Sequence, residues 1–267
     1  MPHVTISEDR LYYDEAGSGP PLFLLHGNAG SAAVWRKVLP RLAKSYRVIA
    51  HDRRGFGSSA KREDGDVSPQ AYAVELARML DALDIERAHI AGLSFGGMVA
   101  QCFALDFPDR LNGLVLAGTT PDRSGRNADD TVAQLRRDGW PKAARALVTS
   151  WFRPDADPAD IDEAYGIAME TTLEMYARTV HALGAFDIRR DVARIGAPTL
   201  VVVGEDDRTL PMPFSEFLRD RIPGARLSVI PRCAHLVPVE RPNAFCDAVL
   251  PFLAAVDAGE AGAARRK

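Results

Sequence analysis

Six short, nearly continuous apolar runs recur along this chain, separated by longer stretches with helical spacing. They are Leu22–Leu25, Arg47–Ala50, Ala88–Ala91, Leu114–Ala117, Thr199–Val203 and Leu227–Ile230. A strand with one face in water alternates polar and apolar residues, whereas a run without alternation is buried on both faces. Buried strands that alternate with helices form a mostly parallel sheet, because parallel neighbours need a long crossover and the crossover helix covers a face. The stretch VTISEDRLYYDEAGSGP departs from this rule. It alternates about a turn and reads as an antiparallel hairpin on the sheet edge.

Apolar spacing predicts helices over about 32–44 and over 69–83, where Ala73, Leu76, Ala77, Leu80 and Leu83 form one stripe. Others begin near Phe95, Pro213 and Pro242. Residues 121–187 interrupt the alternation: after PDRSGRNADD the patterns are helical and contain no buried strand. A chain of 267 residues accommodates one large core with an insertion. The expected organisation is a discontinuous core of residues 1–120 and 188–256, a helical cap of residues 121–187, and a flexible small-residue tail over 257–267. Trp140, Trp151, Phe152, Tyr165, Met169, Met175, Tyr176 and Phe186 concentrate aromatic and thioether surface in the cap, most of it to fill the cap's own core.

Several classes of function fit this chain poorly. A net charge of −3 gives no electrostatic footprint for nucleic acid. No apolar run approaches the roughly 20 residues of a membrane helix, and the N-terminus lacks the pattern of a signal peptide. Cys102, Cys233 and Cys246 are odd in number and form no CxxC, which favours reduced thiols and a cytoplasmic location over a disulfide framework. The expected partner is a small molecule, with neither nucleic acid nor membrane.

At the carboxyl ends of parallel strands, loops converge and function gathers. Four such ends carry chemically capable residues: His26-Gly27-Asn28, Ser94, Asp206-Asp207 and His235. Gly92-Leu93-Ser94-Phe95-Gly96 is a G-x-S-x-G that leaves an apolar run and opens the helical pattern MVAQCFAL. That strand–turn–helix setting lifts a serine clear of the backbone, and the two glycines keep side chains out of the turn. A helix-capping serine in a glycine-rich turn is the plainer alternative.

A nucleophilic serine needs a base, and the base needs a group that fixes its tautomer. Among six histidines, His3 falls in the hairpin, His181 in the insertion, His89 at the amino end of a strand and His51 in the turn HDRRGFG. His235, in PRCAHLVPVERP after the last run, is the candidate base. VVVGEDDRTLP supplies Asp207 as the acid, three residues past Gly204, with Asp206 as its competitor. The backbone N–H groups of Asn28, in HGNAG, and of Phe95 are the candidate oxyanion donors. His26, Trp140, Trp151 and Leu236 are candidate substrate contacts. No G-x-G-x-x-G follows a strand, and neither a Walker-type loop nor HExxH occurs, so neither cofactor nor metal is expected.

Taken in order, HGNAG, DRRGFGSS, GLSFGGMVAQ, PTLVVVGEDD and CAHLVPVERP resemble the α/β-hydrolase fold enzymes over nearly the whole chain. The resemblance implies a mostly parallel eight-stranded sheet flanked by helices, with a helical cap insertion. Trp151-Phe152, TTLEMYARTVHALGAFDIR and the return through I-x-x-PTL are similar to the cap of 3-oxoadipate enol-lactonase-like esterases. Two features depart from that group: the histidine of HGNAG, and Ala234 where glycine usually precedes the histidine. The implied activity is hydrolysis of a carboxylic ester or lactone through an acyl-enzyme on Ser94. Two alternatives stand: C–C bond hydrolysis or cofactor-free oxygen chemistry on the same fold, and a non-catalytic protein that binds a small ligand.

Overall fold

A computed structural model describes residues 2–61, 64–125 and 127–260; most of the expected tail, 261–267, lies outside the described residues. Eight strands form one sheet: β1 (His3–Ile6), β2 (Asp9–Ala16), β3 (Pro21–Leu25), β4 (Arg47–His51), β5 (Ala88–Leu93), β6 (Leu111–Ala117), β7 (Thr199–Gly204) and β8 (Arg226–Ile230), in the spatial order β1-β2-β4-β3-β5-β6-β7-β8. β1 and β2 form the expected antiparallel hairpin, and β2 meets β4 antiparallel. All later pairings are parallel.

Along each parallel strand, successive side chains enter opposite cores. Phe23 and Leu25 pack on one side of the sheet with Leu76 and Phe103. Leu22 and Leu24 pack on the other with Phe245 and Val249. Burial on both faces is what the continuous runs require.

The helices are α1 (Leu39–Leu42), α2 (Pro69–Ala82), α3 (Phe95–Asp106), α4 (Ala128–Asp138), α5 (Trp140–Ser150), α6 (Pro158–Met169), α7 (Leu173–Gly184), α8 (Met212–Arg221), α9 (Val237–Glu240) and α10 (Pro242–Asp257). In α2 the causes are local. Ser68 accepts a hydrogen bond from the Ala71 N–H at 3.2 Å and Pro69 opens the first turn, both favourable helix starts. The Ala73–Leu76–Ala77–Leu80 stripe is then buried against the sheet.

One predicted helix is corrected. Residues 32–44 form a 3-10 turn at Ala32–Trp35 and only the single turn α1. Pro40 is the reason: it lacks an N–H and its ring clashes with the preceding turn, so it fits only at a helix start.

Between β6 and β7 the chain leaves the sheet and builds α4 to α7. The two ends of this excursion are zipped together. Ile188 N–H donates to the Pro121 carbonyl and Arg123 N–H to that of Phe186, both at 2.9 Å, around an Asp122–Asp187 bridge. No described helix is long and apolar enough to cross a membrane.

Candidate active site

Ser94 joins β5 to α3 with φ 55° and ψ −116°, a conformation that costs an ordinary residue of order 1–3 kcal/mol. Its surroundings hold it there. The Ser94 N–H donates to the Ala117 carbonyl at 2.9 Å, and the Ser94 carbonyl accepts from the Gly97 N–H at 2.9 Å and the Thr119 hydroxyl at 2.7 Å.

The flanking glycines are required by contact. A Cβ on Gly92 would lie 2.3 Å from the Gly96 carbonyl oxygen, and one on Gly96 would lie 2.2 Å from that of Leu25. Both obstacles are backbone. Gly96→Ala is therefore expected to lower stability by about 1–3 kcal/mol, or roughly 2–4 °C in Tm per kcal/mol. Thermal melts check this, and an unchanged Tm would mean that α3 and the β3 end separate freely.

His235 follows β8, and the structure brings it to Asp207 beyond β7. Its Nδ1 lies 2.8 Å from Asp207 Oδ2, and both residues are buried. Asp207 Oδ1 accepts from the Thr209 and Leu210 N–H groups, each at 2.9 Å. With Nδ1 donating to the carboxylate, the neutral ring presents a bare Nε2. The turn and the histidine loop meet tightly: a Cβ on Gly204 would lie 2.1 Å from the Ala234 carbonyl oxygen. Asp206 faces elsewhere and pairs with Arg153. Glu240, its carboxyl raised from the ordinary range by burial, accepts from the Ala234 N–H at 3.1 Å and steadies the same loop. The His235 N–H itself donates to the Trp151 carbonyl at 2.9 Å, which joins this loop to the end of α5.

Ser94 and His235 line one cavity of about 730 Å³, along with Gly27, Asn28 and Phe95. Among the described residues no hydrogen bond links the Ser94 hydroxyl to His235, a contact that in ligand-free enzymes is often long and tightens with substrate. Neither the Asn28 nor the Phe95 N–H has a hydrogen-bond acceptor among the described residues. Trp151 and Leu236 also line the cavity. Its charged side chains are Arg123, Arg153 and Arg208, and no carboxylate lines it among the described residues.

Two expected substrate contacts are corrected. Trp140 is absent from the cavity wall: its ring sits inside the helical segment, 5.0 Å from that of Tyr176, and Tyr176 does the lining. Burial pushes the Tyr176 phenol up to about 12, so it stays a proton donor at neutral pH. His26 is fully buried behind the loop it belongs to. Its Nδ1 contacts the Gly27 carbonyl at 2.8 Å and its Nε2 accepts from the Arg53 N–H at 3.2 Å. Each ring nitrogen is occupied by protein, and burial holds the ring neutral, well below the ordinary histidine range.

Sequence reasoning missed Arg53. It is 1% exposed, and its guanidinium reaches the His26 carbonyl and, at 3.0 Å, that of Gly27. Phe95, Phe56 and Tyr72 rings surround it at 4.6, 4.8 and 5.2 Å. Burial pushes it down to about 10, which leaves it charged at neutral pH. DRRGFG carries two adjacent arginines, and nothing in that pattern says which turns inward. Thr179 was equally illegible: from α7 its hydroxyl contacts the Asn28 side-chain oxygen at 2.9 Å.

Comparison with known proteins places this geometry in context. A family model described as alpha/beta hydrolase fold matches residues 20–157. A protein of Stutzerimonas stutzeri named as carbamate hydrolase RutD is 32% identical over 243 residues, covering 88% of this chain and 92% of that one. The 2-hydroxy-6-oxo-2,4-heptadienoate hydrolase of Pseudomonas putida is 32% identical over 260 residues, covering 91% and 92%. The crystal structure of the enol-lactonase from Burkholderia xenovorans superposes with a TM-score of 0.89 at 26% identity, covering 95% of this chain and all of the other.

Proposed function

The chain belongs to the alpha/beta hydrolase fold family, and from that premise we propose that it is a serine hydrolase of carboxylic esters or lactones. The observation that carries this reading is the His235–Asp207 pair on the same cavity as Ser94, with two acceptor-free amides beside it. Acyl chemistry needs a nucleophile, a base of fixed tautomer and fixed donors for the oxyanion.

In this mechanism the Ser94 oxygen attacks the carbonyl carbon while its proton passes to His235 Nε2. Asp207 stabilises the imidazolium, and the Asn28 and Phe95 amides hold the negative oxygen. The C–O bond to the leaving alcohol breaks, and that oxygen takes the proton from His235. Water then attacks the acyl-enzyme, gives a proton to His235, and the acid departs as Ser94 is reprotonated. Residues 1–120 and 188–256 serve as the catalytic core, and residues 121–187 as the cap that walls the cavity.

A volume of about 730 Å³ lies within the roughly 300–1,000 Å³ of small-molecule sites. The mostly apolar wall, without a lining carboxylate among the described residues, suits neutral or anionic acyl groups over cationic ones, although Arg153 is already paired with Asp155 and Asp206. A second reading, C–C bond cleavage, takes its support from the Pseudomonas putida relative. One experiment separates them: a fluorophosphonate probe, with peptide mapping, beside a panel of neutral, anionic and cationic esters, lactones and vinylogous diketones. Labelling of Ser94 with turnover of neutral or anionic esters is expected. Absence of labelling, or turnover of diketones alone, overturns the ester reading.

A further inference from the structure

We propose that Arg53 and His26 are positioning residues that aim the Asn28 amide at the oxyanion and strengthen it as a donor, by gripping the carbonyl end of the same peptide unit. The inference rests on the reading of Ser94 as nucleophile. The Gly27 carbonyl and the Asn28 N–H belong to one planar peptide, and no cis bond occurs among the described residues. In a trans peptide these two groups point in opposite directions. Whatever fixes the carbonyl therefore fixes where the N–H points.

Two donors fix it. The Gly27 oxygen receives Arg53 Nη2 at 3.0 Å and His26 Nδ1 at 2.8 Å, both buried behind the loop. Arg53 Nη1 holds the preceding carbonyl, that of His26. The imidazole is committed to one tautomer, since Nε2 accepts from the Arg53 N–H. The grip closes on itself: Arg53 orders the ring, and the ring shares the Gly27 oxygen with Arg53. The loop stands close to the nucleophile, a Cβ on Gly27 lying 3.4 Å from that of Ser94.

Charge adds to aim. A cation at the oxygen end of a peptide polarises its N–H, and hydrogen bonds in a chain strengthen one another at low local dielectric. The carboxylates near Arg53 are engaged elsewhere. Asp52 accepts from the Ala32 and Ser58 amides at 2.6 and 2.7 Å, and Glu75 is taken by Arg54. No ion pair of Arg53 occurs among the described residues. A cation buried among aromatic rings with no ion pair among the described residues is a costly way merely to fill space; in this proposal its charge acts on the Gly27–Asn28 peptide whose carbonyl it holds.

Arg53→Met keeps the length and packing and removes the charge and donors. Loss of an oxyanion donor costs about 10²–10³ in rate, so loosening one is expected to lower kcat by about 10- to 100-fold with KM within threefold. Inhibition by a trifluoromethyl ketone, which forms the oxyanion, is expected to weaken in parallel, while affinity for the product acid holds within threefold. Arg53→Lys, which restores the charge and one bond, is expected to recover about half the loss on a logarithmic scale. If Arg53→Met does not fold, His26→Ala replaces it: kcat falls about fivefold or more, and His26→Asn, whose amide nitrogen stands in for Nδ1, restores it. A folded Arg53→Met or His26→Ala with wild-type kcat, or a loss confined to KM or Tm, overturns the inference alone. A wild-type chain that neither labels nor hydrolyses removes the serine-hydrolase reading and this inference with it.

Discussion

Ser94→Ala is expected to hydrolyse p-nitrophenyl esters at least about 10⁴-fold more slowly than the wild-type chain, a barrier increase of roughly 5 kcal/mol. The change removes one oxygen and leaves the rest of the site intact. The turn that holds residue 94 is made by its own backbone, bonded to Ala117, Gly97 and Thr119. Alanine carries the same Cβ and enters that turn at no extra backbone cost. Melting temperature and affinity for the product acid are therefore expected to stay at wild-type values. The remaining rate is not zero, because oxyanion donors and binding alone leave about 10³–10⁴-fold over water. Steady-state kinetics on purified protein decides the matter. A folded Ser94→Ala variant with more than a hundredth of wild-type turnover would show that another group performs the attack.

Asp207→Asn is expected to cost about 10³–10⁴-fold, for a reason specific to these contacts. Asp207 Oδ1 receives the Thr209 and Leu210 amides, so an asparagine oxygen has one comfortable place, facing those two donors. Its NH2 group then occupies the position of Oδ2, opposite His235 Nδ1. Two donors cannot face each other, so the neutral ring shifts its proton to Nε2 and can no longer accept the serine proton. Asp206→Asn is the control. Its carboxylate pairs with Arg153, and its loss is expected to change kcat less than about threefold, as for other partly exposed ion pairs. Fluorophosphonate labelling rates are expected to follow the same order. Comparable losses in both variants, or near-normal turnover in Asp207→Asn, would contradict the assignment.

What the sequence disclosed, and what it hid, follows from how far each feature depends on distant contacts. The strands are legible because burial on both faces imposes nearly continuous apolar runs, as in Leu22–Leu25 and Leu200–Val203. Ser94, Asp207 and His235 are legible because each sits just past a strand end, where a parallel sheet gathers its loops. Asp207 separates from Asp206 only in three dimensions, through the turn after Gly204 that sends one carboxylate to His235 and the other to Arg153. His26 and Trp140 were misjudged because proximity along the chain says nothing of which way a side chain points. His26 turns behind its loop and Trp140 into its own helices. Arg53 was invisible for the same reason, its partners being carbonyls 26 and 27 residues away. The break at residue 40 was in plain view, since a proline inside a predicted helix already forbids it.

The zipped ends of the excursion between β6 and β7 have an evolutionary corollary. A detour that departs and rejoins through a single gatepost, Asp122 against Asp187, transmits no change of its length to the rungs of the sheet. Descendants of such a chain can lengthen or shorten the span without shifting the strands, provided that they keep its inward ties, the Trp151 carbonyl on the His235 N–H and the Thr179 hydroxyl on Asn28.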